Sequence, residues 1–365
     1  MRVLQFAKQS VMTVALACVT LAGCGGESTS DAPFNPSGTN ADLDAMNNTF
    51  ASPTFASFST FSLMFDAALG GAPLIATSTA ALNIRGKSTE GMRAAAIRTA
   101  QRLAAIMPRD GKASFNTTAM SIPTSVAGKT FVYNSTTAAY EASDAPLLDL
   151  NTVRFTLYEV DPGTFAPVLP LVETGYVDLI DRSAGTTQAA QVLVVAGGVT
   201  YIDYTVSAST TTSYGRVTVV GHVTDGVHQA NINLRSTLTF TAGLTLTYSL
   251  TLPDRNAAIN LTVSSTDIAQ GSPITINLTM RGPNGTIILS GQLAETSGTI
   301  NVRVSGVAFA TITTNGTTTI ITRVNGAPLA DDEYLALNAV FEVSAGAFFA
   351  FDQMLAPVGA MFDEP

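Results

Sequence analysis

The chain has 365 residues, 46% hydrophobic and only 12% charged, with two Cys, two His, no Trp and a formal charge of −9. Charged residues normally make up about a quarter of a globular chain, so so apolar a composition excludes a disordered polyelectrolyte. The acidic balance excludes a general nucleic-acid binder. Two Cys exclude a disulfide framework, and two His leave few ligands for a metalloenzyme.

Arg2 and Lys8 form a short basic segment before an apolar run over residues 11–21, which is too short to span a bilayer. It ends in Leu21-Ala22-Gly23-Cys24, which resembles the lipobox of bacterial lipoproteins. The resemblance covers the leader alone, residues 1–23. It implies cleavage before Cys24, acylation of Cys24, and a membrane partner reached through that lipid anchor. Gly25 stands where the family's inner-membrane retention signal has Asp, so the resemblance implies the outer membrane. Loss of residues 1–23 removes two basic side chains and no acidic one, which takes the formal charge from −9 to −11. Two or three acyl chains, at about 0.8 kcal/mol per buried CH₂, suffice for stable anchoring.

Residues 24–45 are rich in Gly, Ser, Asp and Pro without periodicity and read as a flexible tether. A single domain is expected over 46–365. Phe55, Phe58, Phe61, Phe65 and Leu69 recur at three and four residues, the spacing of an amphipathic helix stopped by Gly70, Gly71 and Pro73. The helical region extends over 55–107 and includes Ile97, Leu103 and Ile106 ahead of Pro108.

From about residue 130 to 324 the period changes to two, with Gly197-Gly198 among the turns. Asp225-Gly226 as a two-residue hairpin loop pairs Val223 with His228 and Val219 with Ile232. A loop over 241–243 pairs Leu234 with Leu250. Asn284-Gly285 pairs Leu278 with Gly291, and Ser297-Gly298 pairs Leu293 with Val302. All four registers place Val, Ile and Leu on one face and Thr, Ser and Asn on the other. Apolar residues on both faces near Asn315-Gly316 suggest a bulge there. A last helix is expected over 331–355, with acidic residues Asp331, Asp332 and Glu333 at its start and an almost wholly apolar surface beyond.

The expected fold is therefore α+β and strand-dominated: a long curved antiparallel meander, half-barrel-like, packed on Phe-rich N- and C-terminal helices. In outline it is similar to the lipoprotein carriers and lipid-binding lipoproteins of the envelope, whose curved sheets hold acyl chains beneath a helical lid. That similarity implies a cavity lined by Phe58, Phe61, Phe65, Phe341, Phe348 and Phe351.

Candidate chemistry is sparse. His222 and His228 fall on opposite faces of one hairpin, so they cannot share an ion, and no metal site is assigned. Gly86-Lys87-Ser88 lacks the earlier Gly of a phosphate loop, since position 81 is Ala. No Gly-x-Ser-x-Gly elbow occurs. Neither an enzyme nor a cofactor is indicated. Arg85, Lys87, Arg93, Arg98 and Arg102 form a basic cluster, read either as contacts to anionic headgroups or as a solvated helix face. The Asp-Gly register sets Arg216 across from Arg235, with Asp203 as the expected answering charge.

Three readings follow. The first is a non-enzymatic envelope lipoprotein that binds an apolar or amphipathic ligand between sheet and helices. The alternative is a structural or partner-binding surface lipoprotein with a filled core. The third, an outer-membrane pore, needs the apolar face toward lipid, and there is no aromatic girdle to support it.

Overall fold

The computed structural model describes residues 33–68, 88–106, 122, 125–161, 163–185, 187–211, 213–239, 243–267, 272–315 and 318–362. Within them, helices α1 (Pro36–Phe50), α2 (Pro53–Ala68) and α3 (Ser88–Ile106) precede fifteen strands, and helix α4 (Asp331–Phe362) follows. The expected α+β meander is what the chain forms. Strands β3 (Thr152–Tyr158) through β15 (Thr318–Arg323) each pair with their neighbour in sequence. Only the hairpin of β1 (Thr130–Asn134) and β2 (Ala139–Ala142) departs from this order, with β1 lying parallel to β3. The sheet is open: β2 and β15 are its edges, and no ladder among the described residues joins them.

The turns differ from the sequence expectation in an instructive way. Val223 faces Ala230 rather than His228, and Val219 faces Leu234. Leu234 in turn faces Tyr248 rather than Leu250. Leu278 faces Leu289 rather than Gly291, and Leu293 faces Gly298 rather than Val302. Every offset is two or four residues. A strand repeats its facing every second residue, so each inward side chain stays inward although its partner changes. Side chains set the longer first turn: Asp225 Oδ1 accepts the backbone N–H groups of Val227 (2.8 Å) and His228 (2.6 Å). Gly197 and Gly198 make the expected turn with both φ positive, +56° and +79°. The bulge expected at Asn315 lies instead between Val302 and Arg303 on β13 (Ser297–Val304). Near Asn315 the outward apolar residue is Ile320 on the edge strand, 57% exposed.

Residues 36–45 correct the tether reading, because they are the first part of α1. Asn35 caps the helix by accepting the Gly38 N–H at 3.1 Å, and Pro36 occupies the first turn, where its missing N–H costs nothing. The polar composition hid an inward stripe of Leu43, Ala45 and Met46, all buried. Inward-facing Asp42, 1% exposed, receives Arg255 Nε at 2.8 Å and Asn284 Nδ2 at 2.8 Å. The helix is thus pinned to two turns at one end of the sheet. Contact is so close that a Cβ on Gly38 would stand 2.2 Å from Asn284 Oδ1.

Helix α4 occupies the concave side of the sheet, with α1, α2 and α3 packed around it. By length and composition it could cross a membrane, since an 18-residue window within Asp331–Gly359 has a mean hydropathy of 1.5, yet 61% of that window is buried inside the protein itself. Its observed end, Phe362, lies beyond the expected 355, and Pro357 falls inside it.

Candidate functional site

Of the six expected cavity residues, five are described, and all are core. Phe58, Phe348 and Phe351 are 0% exposed, and Phe61 and Phe341 are 1%. The Phe65 side chain lies outside the described residues. Phe61 sits 4.9 Å from the Phe155 ring and 5.8 Å from Tyr140, centroid to centroid. Phe348 and Phe351 lie edge-on to Tyr248 at 5.3 and 5.5 Å. These are the separations of rings in direct contact. Tyr204, fully buried, touches Phe58 at 6.4 Å and donates its hydroxyl to the Met354 carbonyl at 2.6 Å. Burial drives the Tyr204 and Tyr248 phenols well above their usual range near 10. A small void lies between α3 and the sheet, bounded by Ala96, Ile97, Leu246, Val263 and Ile274. Its volume of about 10 Å³ is no more than one water molecule needs.

The basic cluster divides. Cys24, Arg85 and Lys87 lie outside the described residues. Arg93 is only 7% exposed; it donates to the Ser272 carbonyl at 3.3 Å, while its buried Nε has no partner. Arg102 pairs with Asp352 of α4 at 2.6 Å, and the Asp352 side chain is 4% exposed. Both guanidiniums are therefore committed to the interior. Arg98 is half-buried. The periodicity had shown a helix, but it did not show that Asp352 would turn one of its cations inward.

The two histidines stay apart, as their spacing implied. His222 is opposite Asn231 on the outer face, and His228 Nδ1 meets Asp254 Oδ2 at 2.5 Å in a turn. Among the described residues no group of three or more His, Cys, Asp or Glu could hold a metal ion.

The convex face carries an order that the sequence expectation does not contain. Across β6 (Val199–Thr210) to β15 the paired residues form rows: Ser207, Thr218, Arg235, Thr247, Thr262 and Asn277 stand side by side on successive strands. Ser290, Asn301, Thr311 and Thr322 continue that row. Arg216 is opposite Thr237, not Arg235, so the two arginines are diagonal neighbours. Asp203 does not answer them; it sits opposite His222 and accepts Gln191 Nε2 at 2.7 Å. Arg216 lies over the Tyr214 ring at 4.8 Å, and its Nε has no hydrogen-bond partner. The signal was readable: no strand from β7 (Tyr214–Thr224) to β15 contains Asp or Glu, yet they carry Arg216, Arg235, Arg281, Arg303 and Arg323.

Comparisons with protein families, curated proteins and solved structures find no match for this chain.

Proposed function

We propose that this is a non-enzymatic, lipid-anchored envelope protein with a filled core, which acts through its surface. The observation that carries the reading is the set of five phenylalanines placed between sheet and helices, each 1% exposed or less and in contact with neighbouring rings or helices. Filling that space with rings leaves the concave side occupied by the chain's own α4. The anchor rests on the Leu21-to-Cys24 motif. A pore gains no support from this arrangement, because the apolar face meets helices rather than lipid and the sheet keeps two edges.

The test is mass spectrometry of the full chain expressed in a diderm bacterium and purified in detergent, under native and then denaturing conditions. The acyl groups on Cys24 persist in both spectra, and the Cys24→Ala variant lacks them. A native mass equal to the denatured mass supports a filled core. A lipid-sized adduct lost on denaturation overturns it and restores the reading as a carrier of apolar ligands.

A further inference from the structure

We infer that the convex face of β7 to β13 is a docking surface for an acidic glycan, a polymer that carries carboxylate or other anionic groups among many hydroxyls. The inference rests on the reading that the protein works through its surface. Three observations converge on it. In a chain of charge −9, this face carries Arg216, Arg235, Arg281 and Arg303 and no carboxylate from its own strands. The acids of this region stand in the connecting turns: Asp225 is engaged by backbone N–H groups and Asp254 by His228, and Asp267 and Glu295 lie in the turns after β10 (Ala257–Ser265) and β12 (Gly285–Leu293). Arg235, Arg281 and Arg303 are exposed, and Arg216 is half-buried, lying over the Tyr214 ring with its buried Nε unpartnered.

Spacing selects the class of anion. Arg216 and Arg235, as diagonal neighbours, are roughly 7–8 Å apart at Cα. Arg281 is three strands from Arg235 and Arg303 is five. At about 4.8 Å per strand they lie roughly 14 and 24 Å away across the sheet, and at about 3.3 Å per residue Arg281 stands roughly 13 Å and Arg303 roughly 7 Å along it from Arg235's row. Such dispersed cations suit a linear polymer with widely spaced charges, and they do not converge on one phosphate. Single-stranded nucleic acid presents a charge about every 3.4 Å, roughly seven over that span, against four arginines. The rows also offer no exposed aromatic ring on which successive bases could stack. Between the arginines stand hydroxyl and amide side chains, including Thr247, Thr262, Asn277 and Ser290, which can donate to and accept from sugar hydroxyls. A flat bilayer would meet a convex sheet along one line and leave most of the row unused.

The experiment is native affinity electrophoresis of the full chain in detergent, in gels cast with polygalacturonate or with uncharged dextran. We expect retardation by polygalacturonate alone. The Arg216→Gln/Arg235→Gln double variant should bind at least about tenfold more weakly, the loss of two charge-assisted contacts. Exposed Arg235→Gln serves alone if the double variant does not fold. Arg182→Gln, whose guanidinium already bonds Gln191, should change nothing. No retardation, or equal retardation of Arg235→Gln, overturns the proposal. So does tighter binding to oligothymidylate or to phosphatidylglycerol vesicles, or self-association in the ultracentrifuge that the same substitutions abolish. A lipid found inside the core would overturn the filled-core reading and leave this gel result as it stands.

Discussion

The two faces of the sheet handle charge in opposite ways. On the concave side the buried carboxylates Asp42 and Asp352 are both answered. Asp352 has Arg102 at 2.6 Å, and Asp42, beneath α1, has Arg255 and Asn284 at 2.8 Å each. On the convex side of β7 to β13 the charges are of one sign and meet no carboxylate of their own strands, and Arg235, Arg281 and Arg303 are exposed. A buried charge without a partner costs several kcal/mol, whereas an exposed one is solvated by water. Folding therefore dictates the pairings inside, while nothing in folding demands the arginines outside. That asymmetry is why the convex face is the better place to look for a working surface.

The sharpest way to break the comparison is to open the interior. Phe348→Ala removes a 0%-exposed ring from between α4 and Tyr248 and should cost about 3–5 kcal/mol. Urea denaturation measures it, and a cost below about 1 kcal/mol would mean that the ring borders empty space. Arg102→Ala attacks the same interior through charge. It leaves Asp352 buried without its cation and should also cost about 3–5 kcal/mol. The double variant Arg102→Met/Asp352→Leu should regain most of that loss, since an apolar pair of similar volume removes the desolvation penalty. If the double variant is no better than Arg102→Ala, the ion pair holds α3 on α4 by geometry that apolar packing does not replace.

Alkaline pH gives a smaller, graded test. The buried phenols of Tyr204 and Tyr248 stay protonated in the fold at pH values where the unfolded chain has ionised them. Unfolding then releases protons, so stability is complete below about pH 10 and falls as pH rises above it, by about 1.4 kcal/mol per pH unit for each tyrosine. Urea midpoints from pH 8 to 12 should show this decline, and Tyr204→Phe/Tyr248→Phe should flatten it. An unchanged slope in that double variant would place the ionising groups elsewhere.

The same asymmetry explains what was legible in the sequence. Facing was legible because period two is a property of consecutive residues: Val219, Leu234 and Leu278 point inward whichever turn joins their strands. Partners were not, because a turn's length depends on side chains that reach back to the backbone, as Asp225 does, or across the fold, as Asn284 does to Asp42. Helix α1 was hidden for a related reason. Its Gly, Thr and Asn residues have weak helix propensity, and what holds it is tertiary: the Asp42 network and the burial of Leu43 and Met46. Among the candidate residues the phenylalanines were found by spacing, but spacing cannot distinguish a ring that lines a cavity from one that fills it. Of the convex arginines the sequence points only to Arg216 and Arg235, as a directly facing pair. Their common face, and the want of carboxylates on it, emerge only when the strands are set in register.

The smallest expected effect bears most directly on the comparison. Arg235→Gln removes an exposed charge that makes no ion pair and stands diagonal to another arginine. Surface substitutions of this kind usually fall within about 0.5 kcal/mol, and relief of like-charge repulsion should make this one neutral to slightly stabilising. The gain should shrink with added salt, since screening weakens the repulsion that the substitution removes. Urea midpoints in low and high salt measure both. A loss above about 1 kcal/mol would mean that Arg235 serves the fold, as Arg102 does, and the distinction between the two faces would fail at its central residue. A neutral or positive result leaves Arg235 with no structural reason to be charged, and its reason must then be found in what the surface binds.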